Sequence, residues 1–301
     1  MIVPNSLCEG DTIGIVAPAG PLRVCLHEIK SSIEMHGYKV KIGRSCYLNY
    51  KGYLAGKDED RAKDINDMFL DSEVNAIMCL RGGFGATRIL DMINYDIVKR
   101  NPKIFIGFSD ITALHIAFNQ KCDLLTYHGI MAASSPRWDE FTYNSLINAL
   151  NFNDKLSIKN PIGESIYTIK SGYCEGILVG GNLSLIVSTL GTKYEINTKN
   201  KILFIEEVGE YIYRIDRMLT HLSLAGKLSD CNGIIFGDFS DCRKSNEYDP
   251  NIYDLLSEVS LKANKPAIYN LKSGHCMPMV TIPLGAYCIM DADRKKIEFR
   301  R

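Results

Sequence analysis

The sequence predicts an α/β protein whose first half forms a doubly wound parallel sheet and whose second half forms a strand-rich domain. Short apolar segments alternate with segments of helical periodicity up to about residue 135, which is typical of a parallel sheet covered by helices. The alternation then stops, and 301 residues exceed what one core usually needs, so two domains are expected.

The first half is predicted to contain five strands separated by four helices. The apolar runs that indicate strands span 12–17, 38–42, 74–80, 104–107 and 124–127. The helical segments span 22–36, 59–70, 86–93 and 110–119. Ligands of such sheets bind at the carboxyl ends of the strands, where the loops 18–21, 81–85 and 108–110 are expected.

The second half follows a polar, Asn-rich stretch. Residues 136–163 are interpreted as a linker between a first domain, 1–135, and a second domain, 164–301. Strands are predicted over 175–179, 201–205 and 233–236, a helix over 211–224, and a closing hairpin over 287–299. The helix is indicated by apolar residues that recur on one face, namely Ile212, Ile215, Leu219 and Leu222.

Charge and hydropathy exclude several classes of protein. Lys+Arg and Asp+Glu both number 35, and without a basic block we expect no nucleic-acid partner. No apolar run reaches the roughly 18 residues of a membrane span, and the N-terminus lacks a signal-peptide pattern. A cytoplasmic protein that does not bind membranes is therefore expected.

The cysteines and histidines do not have metal-ligand spacing. The ten cysteines form no C-x-x-C, and the six histidines form neither H-x-x-x-H nor H-E-x-x-H. We expect no disulfide framework, no metal and no cofactor, with most cysteines buried as small apolar residues. Cys276 is the exception to this expectation of burial in apolar surroundings, because it follows His275.

Ser109 lies between an apolar strand and a helix, in Gly107-Phe-Ser-Asp-Ile111. A serine at such a turn exposes its hydroxyl near unpaired backbone N–H groups, as in a nucleophile elbow. The second glycine of G-x-S-x-G is absent here. Serine and aspartate are also common helix caps, so this segment alone allows either role.

The loop Arg81-Gly-Gly-Phe-Gly85 follows the third predicted strand. It has neither the Rossmann nor the P-loop glycine pattern. It is either a turn that needs glycine for positive φ or a loop whose N–H groups bind an anion. Because the third and fourth strands are expected neighbours, the N–H groups of Gly83 and Asp110 are candidate oxyanion donors.

An acid and a base are available in the second half. Glu206 and Glu207 directly follow an apolar strand, and either is a candidate, whereas Glu210 suits a helix N-terminus. His275 lies in a turn bounded by glycine and proline, which makes it a candidate general base. With Ser109, these residues give the chain order Ser…Glu…His.

Arg214 and Arg217 lie one helical turn apart, with Asp216 between them. They are either part of a solvated face or a clamp for a carboxylate.

Seven segments in a fixed order resemble the serine LD-carboxypeptidases, which are the muramoyltetrapeptide carboxypeptidases of bacterial cell-wall recycling. The resemblance covers nearly the whole chain. The segments are Gly10-Asp-Thr-Ile-Gly-Ile-Val-Ala-Pro18, Arg81-Gly-Gly-Phe-Gly85, Ile106-Gly-Phe-Ser-Asp110, Gly180-Gly-Asn-Leu183, Phe204-Ile-Glu-Glu-Val-Gly-Glu210, Tyr213-Arg-Ile-Asp-Arg-Met-Leu219 and Gly274-His275.

The resemblance implies a flavodoxin-like N-terminal domain and a smaller, strand-rich mixed α/β C-terminal domain, with the active site between them. It also implies a homodimer and a metal-free triad of Ser109, Glu206 and His275. The family usually has Glu-Asp where this chain has Glu206-Glu207. Glu206 is preferred because the family's glutamate is the first acidic residue after the strand.

The reaction implied by the resemblance is hydrolysis of the amide between the L-centre of a diamino acid, meso-diaminopimelate or lysine, and a terminal D-alanine. Ser109 would be the nucleophile, and the N–H groups of Gly83 and Asp110 would form the oxyanion hole. Relatives act as immunity peptidases on microcin-type peptidyl adenylates, and a catalytically silent muropeptide-binding protein is a third possibility. The sequence does not identify the group that binds the terminal carboxylate.

Overall fold

The chain folds into two units that meet in sequence at residue 151. The computed structural model describes residues 1–23 and 25–300, and the units are Met1–Asn151 and Phe152–Arg301. The predicted linker, 136–163, is therefore divided between them. Its first part forms a helix of the first unit and its second part forms a strand of the second.

The first unit contains a parallel sheet of the doubly wound type. Its strands are β1 (Thr12–Val16), β2 (Lys39–Ile42), β3 (Ala76–Cys79), β4 (Ile104–Gly107) and β5 (Thr126–His128). They pair in parallel in the order β2-β1-β3-β4-β5, which is the flavodoxin-like order. Strands β3 and β4 are buried along their whole length, which explains their uniformly apolar sequences. The predicted fold class is confirmed.

Helices connect these strands. They are α1 (Leu26–Met35), α2 (Asp58–Leu70), α3 (Ala86–Ile89), α4 (Tyr95–Arg100), α5 (Thr112–Cys122) and α6 (Glu140–Asn151). Short 3₁₀ helices occupy Arg44–Tyr47, Leu90–Met92, Ser109–Ile111 and Ala132–Arg137. The segment 86–93, predicted as one helix, is α3 followed by 3₁₀ helix, and α4 was not predicted.

Helix α6 lies in the segment that the sequence analysis interpreted as a linker. It begins after Asp139, whose carboxylate accepts the Thr142 N–H at 2.9 Å. It buries Thr142, Leu146, Ala149 and Leu150. The Asn-rich composition concealed this apolar face, since asparagine has a low helix propensity.

The second unit is built on a mixed sheet. The strands of this sheet are β6 (Lys155–Ile158), β7 (Tyr167–Lys170), β8 (Tyr173–Asn182), β9 (Lys201–Val208), β10 (Gly233–Ser240), β11 (Ala267–Tyr269), β13 (Tyr287–Asp291) and β14 (Lys296–Arg300). A further short strand, β12 (Ile282–Leu284), is not part of this sheet. The parallel run β8-β9-β10-β11 forms the centre of the sheet, with β7 beyond β11 and β13-β14-β6 beyond β8, all antiparallel. The strand-rich, mixed character predicted for this domain is confirmed.

The helices of the second unit are α7 (Leu183–Ser188), α8 (Ile212–Leu224), α9 (Lys227–Asp230) and α10 (Ile252–Ala263). The apolar face predicted for α8 is buried as expected. Within the described residues, no helix has both the length and the apolar character needed to cross a bilayer.

The cysteines all lie among the described residues and are free thiols. Those buried in the core are Cys46, Cys79, Cys122, Cys174, Cys231 and Cys288. They behave as small apolar residues, as predicted.

Candidate active site

Ser109 lies directly beyond β4, in a backbone conformation that is rare for a residue with a side chain. Its φ is +65°, in the left-handed region, and it begins the 3₁₀ helix Ser109–Ile111 that leads into α5. Such strain is typical of functional turns. Ser109 is the N-cap residue of neither helix, since Phe108 and Ile111 occupy those positions. The strand–turn–helix geometry is that of a nucleophile elbow.

The glycine loop after β3 packs directly against Ser109. A Cβ atom built on Gly82 would lie 2.8 Å from the Ser109 Cβ and 2.9 Å from its Oγ. The same position is 3.7 Å from the backbone nitrogen of Asp110. Only glycine allows the loop to approach the serine this closely. Gly83, the next residue, is exposed and has a φ of +126°.

Arg61 of α2 supports this loop from inside the protein. Its side chain is fully buried and donates hydrogen bonds to the carbonyls of Pro18 and Gly85, the latter at 2.8 Å, and to the carboxylate of Asp58. A Cβ at Gly85 would lie 2.7 Å from Arg61 Nη1. The guanidinium therefore joins the loops that follow β1 and β3. Sequence reasoning missed it, because an arginine within a charged helical segment gives no signal of burial.

Asp110 and His115 fix the backbone on either side of Ser109. The buried carboxylate of Asp110 accepts the Ala86 N–H at 2.7 Å, and burial raises the pKa of Asp110 to about 6. His115 Nε2 lies 2.8 Å from the carbonyl oxygen of Gly107, the last residue of β4. Burial lowers the pKa of His115 to about 4, so the ring is neutral and Nε2–H donates.

In the second unit, Glu206 and His275 form a hydrogen-bonded pair. Glu206 lies near the end of β9 with its side chain fully buried, and its Oε2 is 2.7 Å from His275 Nδ1. His275 follows Gly274 (φ +132°), where a Cβ would lie 2.8 Å from the same carboxylate oxygen. Because Nδ1–H donates to the carboxylate, the basic lone pair of the neutral ring is on Nε2.

The charges around His275 favour its protonated form. Burial lowers its pKa, but the hydrogen bond and negative charge of Glu206, with the charges of Glu207 and Asp238, outweigh burial, and the pKa is raised above its usual value. Burial acts on Glu206 in the opposite sense and raises its pKa, while the contact with His275 works against that rise. This environment stabilises an imidazolium, which a general base becomes during catalysis.

Glu207 has a different set of partners. Its carboxylate accepts hydrogen bonds from the Asn182 side chain at 3.0 Å, the Ser184 N–H at 2.9 Å, the Ser184 hydroxyl at 2.6 Å and its neighbour Val208 N–H at 2.9 Å. Successive strand residues point to opposite faces, so Glu207 anchors the start of α7 while Glu206 reaches His275.

The structure thus brings the predicted site residues together in two groups, one in each unit. Ser109 and Asp110 lie against the loop of Gly83 in the first, and Glu206 contacts His275 in the second. Arg214 and Arg217 are exposed, and Arg214 pairs with Glu210 at 3.4 Å, which favours a solvated face over a clamp. Over residues 1–23 and 25–300, no group of three His, Cys, Asp or Glu residues is arranged to hold a metal ion.

Comparison with protein-family models gives two matches. The model of the LD-carboxypeptidase N-terminal domain matches residues 13–129, and that of the LD-carboxypeptidase C-terminal domain matches residues 175–290. Together they cover most of the chain.

Individual relatives agree with these matches. The chain is 40% identical over 302 residues to the probable murein peptide carboxypeptidase of Bacillus subtilis (strain 168), covering 97% of this chain and 92% of that protein. It is 28% identical to the microcin C7 self-immunity protein MccF of Escherichia coli, covering 97% and 93%.

Solved structures of both kinds have a similar fold. Apo wild-type MccF superposes with a TM-score of 0.92 at 26% identity, covering 100% of this chain and 99% of that one. The muramoyltetrapeptide carboxypeptidase from Oxalobacter formigenes superposes with a TM-score of 0.83 at 27% identity, covering 96% and 97%.

Proposed function

The chain belongs to the LD-carboxypeptidase family of serine-type peptidases, and from that premise we propose that it removes the terminal D-alanine from muropeptide tetrapeptides. The bond cleaved is the amide between the L-centre of a diamino acid, meso-diaminopimelate or lysine, and D-alanine. The cellular role is the recycling of peptidoglycan in the cytoplasm, and the enzyme acts as a homodimer.

The observation that carries this proposal is the contact between Glu206 and His275. A fully buried carboxylate 2.7 Å from Nδ1 fixes the imidazole in the tautomer that a general base needs. The left-handed turn at Ser109 adds a serine presented as a nucleophile. Ser109, His275 and Glu206 are therefore assigned as nucleophile, base and orienting acid.

The reaction begins with acylation. Ser109 Oγ attacks the carbonyl carbon, and His275 Nε2 accepts the hydroxyl proton. Glu206 stabilises the imidazolium that forms. The N–H groups of Gly83 and Asp110 donate to the oxyanion of the tetrahedral intermediate, a contribution of about 3–4 kcal/mol per donor in other hydrolases.

The intermediate then collapses as its C–N bond breaks. His275 gives its proton to the departing amine of D-alanine, which leaves an ester on Ser109. A water molecule, deprotonated by His275, attacks the carbonyl carbon of this ester. The bond to Ser109 Oγ then breaks, His275 returns the proton to that oxygen, and the shortened peptide is released. No cofactor takes part in either half of the reaction.

A second candidate function is the cleavage of peptidyl adenylates, which the similarity to MccF favours. MccF structures have been solved with glutamyl sulfamoyl guanosine and with aspartyl sulfamoyl adenosine. The higher identity to a murein peptide carboxypeptidase, 40% against 28%, supports the carboxypeptidase reaction instead.

The test is incubation with two synthetic tetrapeptides that differ only in the third residue, meso-diaminopimelate or lysine, and with a peptidyl adenylate. Mass spectrometry should detect released D-alanine from at least one tetrapeptide. Cleavage of the adenylate alone would support the immunity reaction. Absence of turnover together with absence of fluorophosphonate labelling at Ser109 would indicate a silent binding protein.

A further inference from the structure

An enzyme that removes a terminal amino acid must recognise a free carboxylate close to the bond that it cleaves. In a terminal D-alanine, only the α-carbon separates this carboxylate from the scissile amide nitrogen. A cation that binds it should therefore lie beside the nucleophile, on the loops at the carboxyl ends of the first unit's strands.

Arg81 occupies such a position. It lies one residue beyond Leu80, which follows the end of β3, and it precedes Gly82, the residue that packs on Ser109. Its guanidinium donates from Nη1 to the Pro21 carbonyl at 3.2 Å. A Cβ built on Gly83 would lie 3.9 Å from Arg81 Nη2, which places the guanidinium beside the loop that carries the proposed oxyanion donor.

The backbone under this guanidinium is also glycine. A Cβ built on Gly20 would lie 3.6 Å from both Cζ and Nε of Arg81, and 3.0 Å from the Gly82 carbonyl oxygen. The Gly20 N–H donates to that carbonyl at 3.2 Å. The Arg81 guanidinium therefore packs between the loops after β1 and β3, and this packing restricts its movement.

The charge of Arg81 has no acidic counterpart in the described part of the chain. Its hydrogen bond to Pro21 is to a neutral carbonyl, whereas Arg61 and Arg88 both pair with the carboxylate of Asp58. Burial lowers the pKa of Arg81, and the positive charge of Arg23 lowers it further. A half-buried cation beside another cation is costly unless an anion binds there.

We propose that Arg81 binds the terminal carboxylate of the substrate. The planar guanidinium matches a carboxylate, to which it can donate two parallel hydrogen bonds. This inference rests on the proposed carboxypeptidase function and names the group that gives the site its specificity for chain ends.

The test compares one tetrapeptide as the free acid with the same tetrapeptide as the C-terminal amide. Arg81→Met should lower kcat/KM for the acid roughly 10- to 100-fold, as expected for loss of charged hydrogen bonds. It should change kcat/KM for the amide by less than about threefold. Arg81→Lys keeps the charge but loses the paired N–H donors of the guanidinium. Its kcat/KM for the acid should lie between those of Arg81→Met and wild type.

Arg88→Met is the matched control, because Arg88 lies in α3, the next helix along the chain, and its guanidinium already pairs with Asp58. It should leave the preference for the acid over the amide unchanged. Equal losses on both substrates in Arg81→Met, or no loss on the acid, would overturn the proposal. Equal losses on both substrates would show that Arg81 only stabilises the glycine loop 81–85.

A binding measurement separates this inference from the proposed function. Ser109→Ala protein, with and without Arg81→Met, is titrated calorimetrically with the acid and the amide. Tighter binding of the acid that disappears with Arg81→Met supports the inference even if wild-type enzyme releases no D-alanine. Equal affinity for acid and amide in the Ser109→Ala protein overturns it whatever the turnover.

Discussion

Glu206 and His275 are joined by a contact of 2.7 Å between a carboxylate oxygen and Nδ1, and the residue before the histidine makes that contact possible. Gly274 has a φ of +132°, and a Cβ atom at this residue would lie 2.8 Å from Glu206 Oε2, so both its conformation and its surroundings exclude a larger residue. The adjacent Glu207 points to other partners. The two glutamates therefore differ in what their loss should do.

Glu206→Gln should lower kcat by up to about four orders of magnitude, because the amide keeps the shape but not the charge that stabilises the imidazolium. Glu207→Gln should lower kcat by less than about tenfold. It should instead reduce the free energy of unfolding by about 1–3 kcal/mol, since Glu207 accepts hydrogen bonds from Asn182 and Ser184. Steady-state kinetics on one tetrapeptide and denaturant unfolding measure both effects. A larger loss of kcat in Glu207→Gln would reverse the roles.

The raised pKa of His275 predicts the acid limb of the pH profile. Only the neutral ring accepts the serine proton, so kcat/KM should fall as the pH drops through a pKa above 6.5, the usual value for histidine. Glu206→Gln removes the negative charge that raises the pKa of His275. The acid limb of the residual activity should therefore move to lower pH. An acid limb below pH 6, or one that Glu206→Gln leaves in place, would show that another group is titrating.

Gly82→Ala should impair catalysis because the new methyl group would displace Ser109. The built Cβ lies 2.8 Å from the serine Cβ, closer than two carbon atoms can approach without a shift. We expect kcat to fall at least tenfold. Gly163→Ala is the control, since a Cβ there meets nothing within 4 Å although its φ is +90°. It should cost stability but not kcat. Equal kcat values in Gly82→Ala and wild type would place the nucleophile elsewhere.

Activity should not require a metal ion. The proposed mechanism takes its nucleophile, base and orienting acid from Ser109, His275 and Glu206. Dialysis against EDTA should leave the rate of D-alanine release unchanged. Loss of activity that added zinc restores would contradict the serine mechanism.

Much of this arrangement could be predicted from local sequence. Strand β4 and the turn at Ser109 were predicted from an apolar run followed by Gly-Phe-Ser-Asp, and the glycine loop after β3 from its three glycines. These features depend on residues that are neighbours in the chain. The parallel, doubly wound character of the first sheet also followed from the regular alternation of strands and helices, whereas its flavodoxin-like form was implied by the family resemblance.

Other features depend on residues that are distant in sequence. Arg61 can be buried because it donates hydrogen bonds to the carbonyls of Pro18 and Gly85, which belong to two different loops. No periodic pattern in the sequence indicates these contacts. Helix α6 was hidden because asparagines separate its apolar residues. The pairing of arginines with acids is likewise set by the tertiary structure. Arg61 and Arg88 both pair with Asp58, whereas Arg81 has no acidic partner among the described residues.

The most direct test of the central claim is the kcat of Ser109→Ala for release of D-alanine from a tetrapeptide, measured beside wild type. The variant should fold normally, since Ser109 caps neither adjoining helix. We predict that it loses nearly all turnover. Retention of more than about a tenth of wild-type kcat, a barrier change below about 1.4 kcal/mol, would contradict the assignment of Ser109 as nucleophile.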